Sequence, residues 1–174
     1  MIDEASIEQA VDRVVTAVSS GAENDADLQW EFSHSENHDL DDEPAEPDEE
    51  ERERFIRRWA QDRVEGAVGE IEACFRGNTI RVWRMITAPE NWKPEERHVG
   101  IYWSWSAKAA EAHWGEFHLD YIRWTLEAEV EAHQIDWPKT LYQNALSAYC
   151  DEKEIRLKKD TPVHLLKVSN DLTN

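Results

Sequence analysis

Apolar and polar positions follow two periods along this chain, first helical and then strand-like. Residues 4–19, EASIEQAVDRVVTAVS, place Ile7, Val11, Val14, Val15 and Val18 at i, i+4, i+7, i+8 and i+11, which is one face of an amphipathic helix. Ser19-Ser20-Gly21 close it. Residues 49–76 carry a second helical pattern, in which Phe55, Trp59, Val64, Val68, Ile71 and Phe75 approximate a stripe. Acidic residues stand at its start and Arg76 near its end, as the helix dipole favours, and Gly77-Asn78 stop it. The period then becomes two. NTIRVWRMIT (78–87) reads as a strand with Ile80, Val82, Arg84 and Ile86 on one face. A Pro-containing loop, APENWKPEERH, follows. Residues 99–105 are predicted as a strand, 106–114 as a short helix, 121–130 as a strand, and 138–149 as a helix with Pro138 in its first turn. Residues 152–158 and 162–169 close the chain as strands. Helices first and then mostly strands give an α+β class, not a regular βαβ array, and no internal repeat is visible.

Residues 22–51 break both periods. They are acidic, carry two prolines and read as a solvated linker or arm, with Trp30 and Phe32 as the apolar exceptions able to dock on the body or on a partner. The expected organisation is an N-terminal amphipathic helix (1–21), an acidic arm (22–51) and a body (52–174) made of a long helix (52–76) and a β-rich core (78–170).

Charge sharpens this division. The net charge is −19, yet residues 1–51 hold 18 acidic residues against Arg13 alone, while the other 123 residues hold 20 acidic and 18 basic. A salt-adapted surface would spread its acid over the whole fold, so the acid belongs to one segment. No basic stripe suits DNA or RNA, which argues against direct nucleic-acid binding. With 174 residues and nine Trp, the chain can build its own core as one domain with an appendage. No apolar run approaches a membrane span, and the start lacks the basic and apolar blocks of a signal peptide. Cys74 and Cys150 have no metal-ligand spacing and fit a reduced, cytoplasmic protein, a single disulfide between them staying open.

Familiar catalytic signatures are missing. There is no Walker loop, no G-x-G-x-x-G and no G-x-S-x-G elbow. His34 and His38 are four apart, but Glu36 is one place off the H-E-x-x-H pattern; His113 and His118 are five apart, poor for one helix face. No metal site is expected. Three smaller features remain. Arg84 shares a strand face with Ile80, Val82 and Ile86, where an arginine either sits at a sheet edge, pairs with a core carboxylate, or borders a cleft and grips phosphate with its planar fork. In YWSWS, alternation puts Tyr102, Ser104 and Ser106 on one face and Trp103 and Trp105 on the other; this is either an ordinary half-buried strand or a working surface. Glu152-Lys153-Glu154 on a strand would direct both carboxylates to one side, with Ile155 and Leu157 opposite; close carboxylates move apart in pKa, though E-x-E also arises by chance in so acidic a chain.

Taken in order, RVWR (Arg84), YWSWS (Ser104, Ser106) and EKEIRL (Glu152, Glu154) resemble the R-S-E class of ADP-ribosyltransferases. SWSAKAAEAH resembles the short Ala-rich helix after that family's serine motif, and EKEIRLKKDTPVHLLKV its two closing strands. The resemblance covers roughly residues 78–170, departs from the family at Trp105, where Thr is common, and leaves a short interval between Arg84 and Ser104. It implies a compact split β-sandwich core preceded by helices. It also implies a mono-ADP-ribosyltransferase, a glycosyl-transferring enzyme of toxin or phage-effector type, that moves ADP-ribose from NAD to a protein side chain, arginine first. By that resemblance Arg84 grips an NAD phosphate, Ser104 supports the NAD-binding strand and orients the catalytic glutamate, and Ser106 gives secondary support. Tyr102 or a nearby Trp stacks on nicotinamide. Glu154 holds the ribose and stabilises its developing positive charge, Glu152 steers or deprotonates the acceptor, and Tyr149 contacts the target protein. The acidic arm then solubilises, covers the cleft, or attracts a basic, nucleic-acid-binding target protein. Two rival readings stay open: a non-catalytic acidic inhibitor that occludes a basic partner, and an NAD glycohydrolase with water as acceptor.

Overall fold

The computed structural model describes residues 2–21, 49–95, 99–112, 121–146 and 152–171. Trp30, Phe32, His34, His38, His113, His118, Tyr149 and Cys150 lie outside them, as does most of the acidic arm. Among the described residues no helix is long and apolar enough to cross a membrane. Cys74 carries a free, exposed thiol.

Helix α1 spans Glu4–Ser19, as its period predicts. The Asp3 side chain caps it, accepting from the Ser6 N–H at 2.8 Å and the Ser6 hydroxyl at 2.9 Å. These bonds hold the Asp3 carboxyl below its ordinary range. Helix α2 spans Glu49–Glu72 and buries Ile56, Trp59, Ala60, Val64, Ala67 and Ile71. Its seam runs beside the expected stripe, so Phe55 and Val68 are only partly covered. The helix also stops earlier than expected. Gly77-Asn78 do not cap it; they form the two-residue turn of a hairpin, with Gly77 at φ 65°. The hairpin joins β1 (Phe75–Arg76) to β2 (Thr79–Ala88). Phe75 therefore leaves the helix stripe and packs its ring against Trp137, 5.9 Å away.

The remaining elements are β3 (Tyr102–Ser104), α3 (Ala107–Ala112), β4 (Ile122–Glu131), a 3₁₀ turn (Ala132–Gln134), α4 (Trp137–Leu146), β5 (Glu154–Arg156) and β6 (His164–Asn170). The α+β class holds. Among the described residues all strands form one antiparallel sheet in the order β5-β3-β2-β4-β6, with β1 on β2. One open sheet thus stands where the sequence suggested two facing ones. The two closing strands lie at its opposite edges and do not pair with each other.

Pairing along the sheet is uneven. β2 and β4 are in register over their full ten residues, from Thr79↔Glu131 to Ala88↔Ile122. β2 and β3 share one register pair, Trp83↔Ser104. β3 is shorter than the predicted 99–105 because Gly100, at φ 83°, turns the backbone out of the extended region. One face of the sheet is apolar: Ile80 and Val82 of β2, Trp103 of β3, Leu126, Ala128 and Val130 of β4, and Ile155 of β5 are all buried. They join a single cluster with α2, α4 and the inner face of α1, namely Ala10, Val11, Val14 and Val18. The N-terminal helix is therefore part of the core.

Val14 is fully buried in that cluster. Val14→Ala is expected to cost about 2 kcal/mol, for two lost methyl groups and the void they leave. Urea denaturation checks this; an unchanged midpoint would mean that α1 does not share the core.

Candidate functional site

Antiparallel partners put their side chains on the same face. Trp83↔Ser104 and Ser104↔Glu154 therefore form one cross-strand row on the face away from the main core, with Tyr102↔Arg156 beside it. Next to this row lies a cavity of about 190 Å³. It is lined by Trp83, Arg84 and Met85 of β2, by Tyr102, Trp103 and Ser104 of β3, by Ala109 and Ala110 of α3, and by Glu152 and Glu154. The three motifs, 70 positions apart from Arg84 to Glu154 in the chain, meet at this one place.

Arg84 is neither at a sheet edge nor paired in the core. β2 lies inside the sheet, and among the described residues no carboxylate pairs with the Arg84 guanidinium. Its side chain leaves the apolar face where β2 and β3 part. Trp105 N donates to Lys153 O and Leu157 N to Ile101 O, so the odd-numbered residues of this stretch bond toward β5 and the Tyr102 carbonyl points toward β2. Arg84 Nη1 donates to that carbonyl at 2.6 Å, a bond the strand ladder would otherwise supply. Arg84 Nε is buried without a partner. Burial pushes the Arg84 pKa down, an effect partly offset by Tyr102. Gly100 makes room for this head group: a Cβ there would lie 2.6–2.9 Å from three guanidinium atoms. The glycine also holds a φ that other residues rarely adopt.

Ser104, 5% exposed, has its hydroxyl fully engaged. It donates to the Glu152 carbonyl at 2.8 Å and accepts from the Ser106 N–H at 3.1 Å. It acts as a strut between β3 and the glutamate segment. Ser106 does not share that face, because β3 ends at Ser104; its hydroxyl instead accepts from the Ala109 N–H at 3.2 Å and caps α3. Trp105 is 8% exposed and does not line the cavity. The Lys153 ammonium lies 5.8 Å over its ring and reaches Glu70 of α2 at 3.1 Å. Tyr102 is 46% exposed at the rim, with the Arg156 guanidinium 5.0 Å over its ring.

The two glutamates converge, but not by strand alternation. Lys153 has φ 49°, and β5 begins only at Glu154. A left-handed lysine costs about 1–2 kcal/mol and is held by its contacts to Trp105 and Glu70. The bend turns Glu152 back onto the cavity that Glu154 faces. Glu154 is half-buried. Burial raises its pKa above the ordinary 4.5, Glu152 adds to the rise, and Arg156 opposes it. Among the described residues no hydrogen bond or ion pair engages its carboxylate.

Four contributors were not evident from the chain. Gly100 could have been suspected, since a glycine beside a strand marks a close approach. Arg156 follows Glu154 at i+2 and so shares its face. Asn144 and Thr140 of α4 bond the backbone of β5, and nothing local in the sequence pairs them with it. Comparison with protein-family models, with curated proteins and with solved structures returns no significant match.

A raised carboxyl pKa means that the fold favours protonated Glu154. The associated stability is present below pH 4.5 and is lost as pH rises through the higher folded-state value. Glu154→Gln should therefore stabilise the protein at pH 7, by a few tenths of a kcal/mol given solvent screening at a half-exposed site. The gain should vanish below pH 4.5. Denaturation midpoints at the two pH values test this, and equal stability at pH 7 would refute it.

Proposed function

We propose that the chain is a mono-ADP-ribosyltransferase that moves ADP-ribose from NAD to a protein arginine. The observation that carries this reading is the meeting of Arg84, Ser104, Glu152 and Glu154 at one cavity. With no matching relative, the resemblance to the R-S-E class rests on these residues alone.

The cavity's size and chemistry fit one end of NAD. About 190 Å³ is less than the roughly 300–1,000 Å³ that encloses a drug-sized ligand, so the nicotinamide-ribose end goes in and the rest lies on the open sheet. When bound, NAD supplies the bond to be broken, between its nicotinamide nitrogen and ribose C1′. Arg84 is a partly desolvated cation that no carboxylate pairs among the described residues, and with Nη1 on the Tyr102 carbonyl it keeps Nη2 to donate to a phosphate. Tyr102, exposed at the rim, offers a ring for stacking. The free Glu154 carboxylate holds a ribose hydroxyl and stabilises the positive charge that develops at C1′ as neutral nicotinamide departs. Glu152 receives the proton lost by the acceptor guanidinium as its nitrogen bonds to C1′. Ser104 contributes indirectly, through the Glu152 carbonyl it holds. Glu154 works ionised, so its raised pKa places the acid limb of activity above pH 4.5.

Labelled NAD with an arginine-rich protein tests the reading. Glu154→Ala is expected to reduce label transfer at least about 100-fold; transfer equal to wild type would end the assignment. Nicotinamide release without labelled protein would turn the assignment to an NAD glycohydrolase. No turnover, with salt-sensitive capture of a basic protein, would turn it to a non-catalytic inhibitor. Gly100→Ala, which displaces the Arg84 head group, should raise KM for NAD about tenfold, for one weakened charge-assisted contact. An unchanged KM would show that Arg84 does not bind the ligand.

A further inference from the structure

The free edge of β5 is occupied by a helix. β5 is the edge strand of the sheet, so the outward N–H and C=O groups of Glu154 and Arg156 have no strand to bond. The 3₁₀ turn and α4 run along that edge instead. Asn144 Oδ1 accepts from the Glu154 N–H at 3.2 Å, and Asn144 Nδ2 donates to the Glu154 carbonyl at 2.7 Å. Two residues further on, Thr140 Oγ1 accepts from the Arg156 N–H at 3.0 Å, while the Asp136 N–H reaches the Arg156 carbonyl at 2.8 Å. The periods match: four helical residues rise about 6.0 Å and two strand residues about 6.6 Å. Asn144 also donates to the Thr140 carbonyl at 2.7 Å, so both of its amide hydrogens and its oxygen are committed and its orientation is fixed.

We propose that Asn144, supported by Thr140, is a positioning residue that fixes where the Glu154 carboxylate points. Two observations make the role specific. Lys153, immediately before Glu154, is left-handed and marks the end of β5; its carbonyl still accepts from the Trp105 N–H on the β3 side, so the outward side of Glu154 depends on a second neighbour. The Glu154 carboxylate has no hydrogen bond of its own among the described residues, so its aim is set by its backbone. β3 holds one side of that backbone and Asn144 the other. As a statement about catalysis, this rests on the reading of Glu154 as the transferase carboxylate; as a statement about orientation, it does not.

The test uses the full chain with carbon-13-labelled glutamate, and NMR titration of the Glu154 carboxyl beside NAD turnover. In Asn144→Ala, Glu154 swings out of the cavity and away from Glu152, and its midpoint moves down toward that of ordinary glutamate. Turnover falls roughly 10- to 100-fold in kcat, as expected for a displaced catalytic group, with KM for NAD changed by no more than about twofold. Thr140→Ser, which keeps the hydroxyl, retains the wild-type titration and kcat. Should Asn144→Ala not fold, Asn144→Asp keeps the acceptor for the Glu154 N–H and loses both donors; kcat then falls with KM retained. A folded Asn144→Ala with wild-type Glu154 titration overturns the proposal whatever its turnover, as does a KM rise at unchanged kcat. If wild type fails to cleave NAD, the transferase reading falls and the titration alone decides the positioning.

Discussion

A half-buried guanidinium that no carboxylate pairs among the described residues governs the middle of this structure. Moving a cation out of water costs several kcal/mol unless something compensates it. Here the Tyr102 carbonyl supplies the compensating bond, and Gly100 supplies the space. The consequences spread outward. Because Arg84 takes the carbonyl that β2 would have bonded, β2 and β3 stay joined at one pair and part beyond it. Because they part, a cavity opens beside Ser104 and Glu154. The long β2–β4 ladder keeps the sheet intact across this interruption, and the apolar face behind it is closed by three helices in one cluster.

The glutamate side of the cavity shows the same economy of strain. Glu154 is half-buried beside a second carboxylate, which the fold disfavours at neutral pH. Lys153 sits in a left-handed conformation. Both are held by neighbours that could relax only by giving up contacts of their own: Ser104 on the Glu152 carbonyl, Trp105 and Glu70 on Lys153, and Asn144 on Glu154. Such local destabilisation persists only because the surroundings over-determine it.

The helical half of the fold was legible because its signal is long and local. The five spaced apolar residues of 4–19 defined α1 almost to its ends, and the alternation of Ile80, Val82, Arg84 and Ile86 defined β2 and its faces. Sequence and structure differ where one residue changes the backbone. Gly77, a helix stop by its spacing, forms a hairpin turn; Gly100 shortens β3; and Lys153 breaks the alternation that an E-x-E strand requires. Ser106 looked like a partner of Ser104 at i+2 and is a helix cap. Long-range pairing was invisible for a different reason. A side-chain amide that bonds the backbone ten positions away leaves no mark on either stretch, because any residue offers the same N–H and C=O.

Charge adds a constraint that sorts what could occupy the cavity. The net charge of −19 lies almost wholly in residues 1–51; the other 123 residues hold 20 acidic and 18 basic side chains, so the body that carries the cavity is close to neutral. Salt screens the field of distant charges over about 8 Å, whereas a group within hydrogen-bonding distance of a lining side chain meets its charge directly. The lining therefore decides, with Arg84 on one side and Glu152 and Glu154 on the other. An anionic group beside Arg84 and a cationic group beside the two glutamates are favoured by different parts of one charge distribution. A pair of anions, or a pair of cations, would set one part of that lining against the other.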